Sequence, residues 1–440
     1  MTASSSDADV VVIGGGMAGC MAAISAAQTE GSASVRLVTA DESTLRAASG
    51  LVDVLGYTPD GEGPLRDPFA AIPDLPESHP YRTVGVEAVR EGLAVFDDAV
   101  GDAYRGGHTD LNALVPTGGA PKPTARYPES VAAGLTARTD DMLLVGFDQL
   151  TAMDAHLMAD QLQNMGVPFA TMGVDVRFPV DVTDYPAAPR LAAALEADEP
   201  VTGTDFAGDE QPRSLRGALA DAVYEYHGFQ DRVGLPAVLG TSDHDAVRET
   251  IADRVSAEVF EIPLGPPSIC GQRLGRLLFD AVEDHGVTVD VGTRVVDVAA
   301  SDAGAAGGAH VDGVVLENGD GRESLETGAV VLATGGVAGA GIETDRDEVR
   351  EPLFDCHVDA PDDREDWYAD EFFGDHPFAR FGVHPDEDLR PVDAAGTPEY
   401  DNLHAAGAVL DGYDFAAEKS GGGVSIATGY VAGRRALETD

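Results

Sequence analysis

The feature that most constrains this chain is a glycine-rich turn near its start, between an apolar strand and a helix of small residues. Residues Val10 to Ile13 predict a buried parallel strand, and a second strand follows at 35–39. Gly14 permits a tight bend, Gly16 lets the backbone approach a phosphate, and Gly19 lets the helix pack closely on the strand. The segment therefore predicts a βαβ unit whose turn binds a cofactor phosphate through Gly14, Gly15, Gly16, Ala18 and Gly19.

Two further glycine segments extend this prediction to the whole chain. A strand near residue 330 ends on Thr334 and Gly335, and a helical run near the C-terminus opens on Gly421, Gly422 and Gly423. Together the three segments predict an α/β protein with a Rossmann-like FAD/NAD(P)-binding flavoprotein fold. Its N- and C-terminal parts are expected to close around one flavin.

One position departs from the usual dinucleotide pattern. An adenine dinucleotide site usually carries an acidic residue at the end of the second strand, where it binds the ribose hydroxyls. Here Thr39 occupies that place, and Asp41 follows in the loop. The sequence therefore disfavours NAD as the resident cofactor and leaves both FMN and FAD open.

The order of the predicted elements indicates an insertion. We divide the chain into an N-terminal part of the flavin-binding domain at 8–140, an inserted α/β domain at 141–261 and a C-terminal part of the flavin-binding domain at 262–440. A helix is predicted near Val86 to Val100. The inserted stretch has its own strand, at Met142 to Phe147, and its own amphipathic helices.

Charge is strongly unbalanced. The chain has 77 acidic and 28 basic residues, a net charge of −49, and only Lys122 and Lys419 among the basic residues are lysines. Because the acidic residues are spread along the whole chain, they indicate a surface adapted to concentrated salt, which screens self-repulsion. The same charge argues against binding of nucleic acid and against direct attraction to anionic lipid.

Cysteine spacing and hydropathy argue against metal sites and membrane-spanning segments. Cys20, Cys270 and Cys356 are far apart and form no C-x-x-C pair, so we expect no metal or iron–sulfur site in this chain. The short polar start predicts no signal peptide, and no apolar stretch is long enough to predict a membrane span.

The chain resembles the B-subunit family of anaerobic glycerol-3-phosphate dehydrogenases, in a halophilic archaeal form. The resemblance covers nearly the full length and is weakest in the acidic inserted region. The segments that carry it are Gly14–Gly19, Ser49–Asp53, His79–Tyr81, Pro266–Ser268, Gly271 to Leu274, Arg350–Pro352, Trp367–Tyr368 with Phe372–Phe373, Phe381–Val383, Asp386–Pro391, Asn402–Gly407 and Gly421–Val424.

The resemblance implies a function and partners. That family is similar to fumarate-reductase-type flavoproteins, and its members are described as binding FMN. They work with a flavin-containing A subunit and an iron–sulfur C subunit that docks to the membrane. The complex oxidises glycerol 3-phosphate to dihydroxyacetone phosphate and passes electrons to quinone. We therefore expect a cytoplasmic protein, peripheral to the inner face of the cell membrane through its partners.

Candidate site residues follow from chemistry and from the resemblance. Bare amides at the start of a helix stabilise the negative charge of a reduced flavin. A phosphorylated substrate favours arginine, and an alcohol donor favours a histidine base. The candidate catalytic residues are His79, Arg273 and Arg390. The expected flavin contacts, beyond the first turn, are Ser49, Gly50, Thr334, Gly335, Gly407, Gly421, Gly422, Gly423 and Val424.

Alternatives stay open at this point. The chain could be a stand-alone flavin-dependent reductase or dehydrogenase of a small acid, or a non-catalytic assembly subunit. The sequence does not place the glycerol 3-phosphate site in this chain or in a partner. An aromatic cluster at Trp367, Tyr368, Phe372 and Phe373 is typical of a core or of a subunit interface.

Overall fold

The computed structural model describes residues 7–29, 33–40, 44–107, 113–115, 121–180, 186–204, 210–301, 308–346, 348–371 and 374–438. In chain order the α-helices are α1 (Met17–Thr29), α2 (Pro68–Ala71), α3 (Pro80–Val100), α4 (Ala155–Asn164), α5 (Ala187–Glu196), α6 (Leu215–Tyr224), α7 (His244–Val255), α8 (Ile269–Asp284), α9 (Phe415–Glu418) and α10 (Gly421–Arg435).

The strands are β1 (Ala8–Ile13), β2 (Val35–Thr39), β3 (Tyr104–Gly106), β4 (Ala113–Val115), β5 (Lys122–Thr124), β6 (Arg126–Pro128), β7 (Met142–Phe147), β8 (Thr171–Val176), β9 (Pro200–Thr204), β10 (Glu210–Ser214), β11 (Arg232–Pro236), β12 (Glu258–Ile262), β13 (Thr288–Val291), β14 (Arg294–Ser301), β15 (His310–Asn318), β16 (Gly321–Leu332), β17 (Glu343–Thr344), β18 (Val349–Arg350) and β19 (Leu403–Ala405).

The main sheet combines a parallel part and an antiparallel part. Strands β13, β2, β1, β16 and β19 lie side by side and run parallel. Strand β16 is long: its first half pairs antiparallel with β15, which pairs in turn with β14, and its second half pairs with β1 and β19. Strands from both ends of the chain thus share one sheet, as the three glycine segments predict.

Helices α1 and α10 pack closely because both present small residues. An ideal Cβ on Gly429 would lie 2.4 Å from the carbonyl oxygen of Ala18, and one on Gly433 would lie 2.2 Å from that of Ala22. Glycine is therefore required at this crossing. The contact joins the N-terminal helix to the C-terminal helix over the main sheet.

A second parallel sheet belongs to the inserted region. Its strand order is β12, β11, β7 and β8, and all its neighbours run parallel. A separate hydrophobic core, from Met142 to Ile269, surrounds it and includes Leu191, Leu219 and Ile251. Helices α4 to α7 contribute to this core.

Two further properties concern the described part of the chain only. None of its helices combines the length and the apolar character that a membrane crossing requires. It also contains no group of three or more His, Cys, Asp or Glu side chains placed to hold a metal ion.

Candidate functional site

The glycine segments meet at one edge of the main sheet because their strands are in register. Ile13 of β1 lies opposite Leu332 of β16, and Leu332 lies opposite Ala405 of β19. The residues after these strands therefore converge, since carboxyl ends of parallel strands share an edge. This edge brings together the turns that begin at Gly14, Thr334 and Gly407.

The first turn has a backbone that only glycine allows. Gly14 has a φ of 118°, and a Cβ there would lie 2.2 Å from the carbonyl oxygen of Ala333. A Cβ on Gly19 would lie 1.8 Å from the oxygen of Gly14. Gly14 and Gly16 are partly exposed while Met17 is buried, so the turn presents open backbone in front of α1. The turn is thus a cradle for a phosphate.

Gly407 and Gly335 complete the edge. Both have positive φ values, of 79° and 87°. Gly407 donates its amide to Thr428 Oγ1 at 2.9 Å, and a Cβ there would lie 2.6 Å from Cβ of Ala18. Gly407 therefore lies between Ala18 at the start of α1 and Thr428 in the middle of α10, where a side chain would have no room.

The start of α10 supplies open amides. Gly421 and Gly422 precede the first hydrogen bond of this helix, from Val424 N to Ser420 O at 2.9 Å, and both are partly exposed. The Gly423 amide donates to the carbonyl of Asp53 at 2.7 Å. This helix end carries positive charge and faces the segment that follows Gly50.

Ser49 and Gly50 lie against the start of α8. Gly50 has a φ of 76°, and a Cβ there would lie 2.8 Å from Cβ of Cys270. Its carbonyl accepts a hydrogen bond of 2.7 Å from Tyr104 Oη. The segment is held in place by backbone contacts, and Ser49 is partly exposed.

A buried polar cluster borders the start of α10. Nε2 of His79 lies 3.1 Å from Glu418 Oε2, and the Ser420 hydroxyl donates to the same oxygen at 2.9 Å. Nδ1 of His79 accepts from the Tyr81 amide at 3.0 Å, so the proton sits on Nε2, which donates to Glu418. Both ring nitrogens are therefore engaged in the fold.

Asp53 forms the other half of this cluster. Its Oδ2 lies 2.9 Å from Lys122 Nζ, and its side chain is 8% exposed. Burial raises the pKa of the Asp53 carboxyl to about 6, although Lys122 and Lys419 lower it in part. The sequence motifs do not single out Asp53 or the lysines as site residues. The feature of the sequence that could have pointed to them is the rarity of lysine in this chain.

Comparison with known proteins agrees with this geometry. The sequence model of a family described as FAD binding domain matches residues 9–424. The B subunit of a probable anaerobic glycerol-3-phosphate dehydrogenase from Halobacterium salinarum is 52% identical over 433 residues, which are 98% of each chain. The chain belongs to the B-subunit family of anaerobic glycerol-3-phosphate dehydrogenases.

More distant relatives also align along nearly the whole chain. The B subunit of the anaerobic glycerol-3-phosphate dehydrogenase of Vibrio cholerae is 28% identical over 98% of this chain and 97% of its own length.

Among solved structures, a 3-ketosteroid-Δ4-(5α)-dehydrogenase from Rhodococcus jostii covers 99% of this chain and 97% of that one, at 12% identity and a TM-score of 0.37.

As a member of this family the chain is a flavoprotein with the α/β flavin-binding fold that its sequence predicts. The edge fits such a cofactor, because its glycine turns leave room for phosphates and its helix ends offer amide donors. Asp41, the loop residue that could substitute for the usual ribose ligand, lies outside the described residues. Thr39 is buried at the end of β2, where its Oγ1 would lie 2.9 Å from a Cβ on Gly15.

The candidate catalytic arginines lie in ion pairs. Arg273 is 8% exposed, and its guanidinium pairs with both oxygens of Glu261 on β12 and donates to the Gly240 carbonyl. Burial alone would raise the pKa of Glu261, but Arg273 lowers it below its ordinary value. Arg273 thus joins α8 to strand β12 of the second sheet, and its candidate role in binding phosphate stays a prediction.

Arg390 forms ion pairs with acidic residues of its own loop. It pairs with Asp386 at 2.8 Å and with Asp388 at 3.3 Å. His79 likewise has both ring nitrogens engaged, by Glu418 and by the Tyr81 amide, and its candidate role as a base stays a prediction. All three candidates from the sequence therefore have structural contacts. The local spacing of residues in the sequence could not show these partners.

The aromatic cluster is divided in the structure. Trp367 is buried and packs edge-on against Phe381 with ring centroids 5.8 Å apart, while Tyr368 is half exposed. Phe372 and Phe373 lie outside the described residues. Trp367 thus belongs to the core of this region.

Proposed function

We propose that this chain is the flavoprotein subunit of a dehydrogenase complex that oxidises glycerol 3-phosphate to dihydroxyacetone phosphate and delivers the electrons to quinone. The observation that carries the proposal is the full-length match to relatives named as the B subunit of this enzyme. The convergence of three glycine turns at one sheet edge supports a flavin at the centre of that function.

Different segments of this chain would bind different parts of the flavin. The turn from Gly14 to Gly19 and the start of α1 would bind phosphate, and Ser49 with Gly50 would line the ring. Gly421 and Gly422 would donate amides to the edge where negative charge develops. Thr334, Gly335, Gly407, Gly423 and Val424 would shape the edge through their backbone. When bound, the flavin supplies the acceptor for a hydride from the alcohol carbon.

For the form of the flavin we propose FAD in place of the FMN that the resemblance implies. The family model that matches residues 9–424 carries an FAD-binding description. FMN stays the alternative, because Thr39 stands where an acidic ribose ligand is usual. The mass of the flavin released by denaturation distinguishes the two.

The proposed partners are a flavin-containing A subunit and an iron–sulfur C subunit. Their support is the name of the relatives, which marks them as one subunit among several and so implies further chains. We propose that the complex lies on the cytoplasmic side of the cell membrane and that this chain reaches the membrane only through its partners.

The test is purification of the tagged chain with its partners in molar KCl, followed by a quinone-reduction assay. We expect glycerol 3-phosphate to support reduction and glycerol not to. A Gly16→Leu variant should lose flavin and activity, because a side chain would fill the phosphate position. Gly319→Leu is the matched control, since no atom lies within 4 Å of a Cβ there. Turnover of a small dicarboxylic acid without glycerol 3-phosphate activity would contradict the proposal.

A further inference from the structure

The only two lysines of the chain lie in the same place. Every other basic residue is an arginine, yet Lys122 on β5 and Lys419 between α9 and α10 meet beside one short segment. An ideal Cβ on Gly56 would lie 2.9 Å from Cβ of Lys419 and 3.1 Å from Cβ of Pro123, the neighbour of Lys122. Lys419 and the neighbour of Lys122 are far apart in sequence and thus both border Gly56.

Both lysines also act on the same carboxylate. Lys122 Nζ lies 2.9 Å from Asp53 Oδ2, and the charges of Lys122 and Lys419 both favour the ionised form of Asp53. Both lysines are partly exposed, and Lys419 has a φ of 54°, which an L-residue adopts at some cost. Solvent and small molecules can therefore reach the amines.

Two buried arginines of this chain hold ion pairs by two-point contacts. Arg126 binds both oxygens of Asp97, at 2.6 and 2.7 Å, and Arg273 binds both oxygens of Glu261. A planar guanidinium suits such two-point contacts, whereas a lysine is a compact charge with three donors. Lys122, by contrast, binds only one oxygen of Asp53.

Two buried polar atoms in this cluster have no partner within the described part of the chain. They are Oδ1 of Asp53 and Oη of Tyr413, whose residues are 6% and 2% exposed. The Tyr413 ring packs edge-on against His79, with centroids 5.7 Å apart, and His79 stacks on Tyr81. The Tyr81 hydroxyl donates at 2.6 Å to the carbonyl of Val54, the residue after Asp53, so Tyr413 and Asp53 belong to the same neighbourhood. A buried polar atom without a partner is costly, and a ligand that supplies the missing hydrogen bonds removes that cost.

The groups around this place define the chemistry of the ligand. Two ammonium groups and the positive end of α10 favour an anion. The unpaired Asp53 oxygen can accept a hydrogen bond from a hydroxyl, and Tyr413 can donate one. The Gly423 amide binds the Asp53 carbonyl, so the cluster lies directly at the start of α10, where the flavin edge is expected.

We propose that Lys122, Lys419, Asp53 and Tyr413 form a binding site for a small hydroxylated anion, the phosphate monoester of a short polyol. The lysines bind the phosphate oxygens, and Asp53 accepts a hydrogen bond from a hydroxyl of the same ligand. The identification of the ligand as glycerol 3-phosphate rests on the proposed function. The site places ligand recognition in this chain, a question that the sequence leaves open.

The composition of the chain makes this site unusually easy to test. In the flavin-loaded protein, an amine-acetylating reagent can modify only Lys122, Lys419 and the N-terminal amine, and peptide mass spectrometry resolves all three. Glycerol 3-phosphate at ten times its Kd should slow acetylation of both lysines about tenfold. Inorganic phosphate should protect more weakly, glycerol should not protect, and the N-terminal amine should be unaffected in every arm.

Each other outcome has a distinct meaning. Unchanged labelling of both lysines in all arms overturns the site. Protection by succinate but not by glycerol 3-phosphate overturns the phosphate ligand and also counts against the proposed function. If the assembled complex oxidises glycerol 3-phosphate while labelling is unchanged, the site fails and the function stands. If phosphate protects but the complex has no such activity, the anion site stands and the function fails.

Variants give a second readout that is independent of turnover. Lys122→Gln and Lys419→Gln should each weaken equilibrium binding of glycerol 3-phosphate at least about tenfold and leave the flavin content unchanged, whereas Lys419→Arg, which keeps the charge, should recover part of the affinity. Arg322→Gln removes an exposed positive charge elsewhere and is the matched control. Equal affinity in both lysine variants and the control would overturn the proposal.

Discussion

At the scale of single residues, the flavin edge depends on positions where a side chain has no room. Gly14→Ala would place a methyl group 2.2 Å from the Ala333 carbonyl and force the turn apart. We expect this variant to lose its flavin. Gly61→Ala is the control, because Gly61 also has a positive φ, of 82°, but no atom lies within 4 Å of its Cβ; it should cost about 1 kcal/mol and keep the flavin.

The measurement for this pair is the flavin-to-protein ratio after gel filtration, with thermal unfolding of both variants. Full flavin retention in Gly14→Ala would remove the first turn from the cofactor site. Loss of flavin in Gly61→Ala as well would show that the assay reports general stability.

Asp53 predicts a pH dependence with a definite sign. Burial raises the pKa of its carboxyl from 3.8 to about 6, so between these values the folded protein binds more protons than the unfolded chain. Asp53 therefore makes the free energy of unfolding fall as pH rises from about 4 to 6, by of order 2 kcal/mol. Urea unfolding in concentrated KCl, compared with Asp53→Asn, isolates this contribution. Parallel pH profiles of the two proteins would contradict it.

Residues of this kind also show where sequence reasoning ends. The glycine turns could be predicted because each is a local pattern with a local physical cause. The contacts of His79 and Arg273 could not, because the Glu418 partner of His79 is 339 positions away and Glu261, the partner of Arg273, lies on a strand of the second sheet. Charge and residue type suggested catalysis, which stays a prediction, and the contacts add a structural pairing that the sequence could not show.

At the scale of elements, the ion pair between α8 and β12 links helix α8 to the second sheet. Glu261 is fully buried and Arg273 nearly so. Glu261→Gln should cost about 3–5 kcal/mol, because it leaves a buried guanidinium without its counter-charge. Glu343→Gln is the control: it breaks an exposed pair with Arg350 and should cost less than about 1 kcal/mol.

Denaturant unfolding in molar KCl, followed by circular dichroism, measures both variants. Similar losses for the two would mean that the buried pair adds no more than a surface pair does. That outcome would contradict the structural role assigned to Arg273.

The boundaries of elements were predicted less well than their existence. Helix α3 begins at Pro80, six residues before the predicted start near Val86, and continues through a kink at Gly85, whose φ is 80°. His79 caps the helix and Pro80 occupies its first turn, and both are sequence signals of a helix start. A glycine such as Gly85, however, is typical of a helix end, so the sequence placed the start after it. The domain bounds at 141 and 261 stay a prediction, supported by the separate core of the second sheet.

At the scale of the whole molecule, the net charge of −49 predicts a requirement for salt. At millimolar ionic strength the carboxylates repel one another over long distances, whereas in molar salt the screening length is about 3 Å. We expect circular dichroism to show unfolding when KCl is dialysed away and refolding when it is restored. Sucrose at equal osmolarity should not substitute. A native spectrum with a sharp thermal transition at millimolar salt would contradict this prediction.

The central claim is that the two ends of the chain form one flavin site at the carboxyl edge of the main sheet. The most direct test is the visible absorption spectrum of the protein purified in molar KCl, with mass analysis of the small molecule released on denaturation. We expect the absorption bands of oxidised flavin, about one flavin for each chain, with the mass of FAD in the proposed case. A folded but colourless protein that releases no flavin would contradict it.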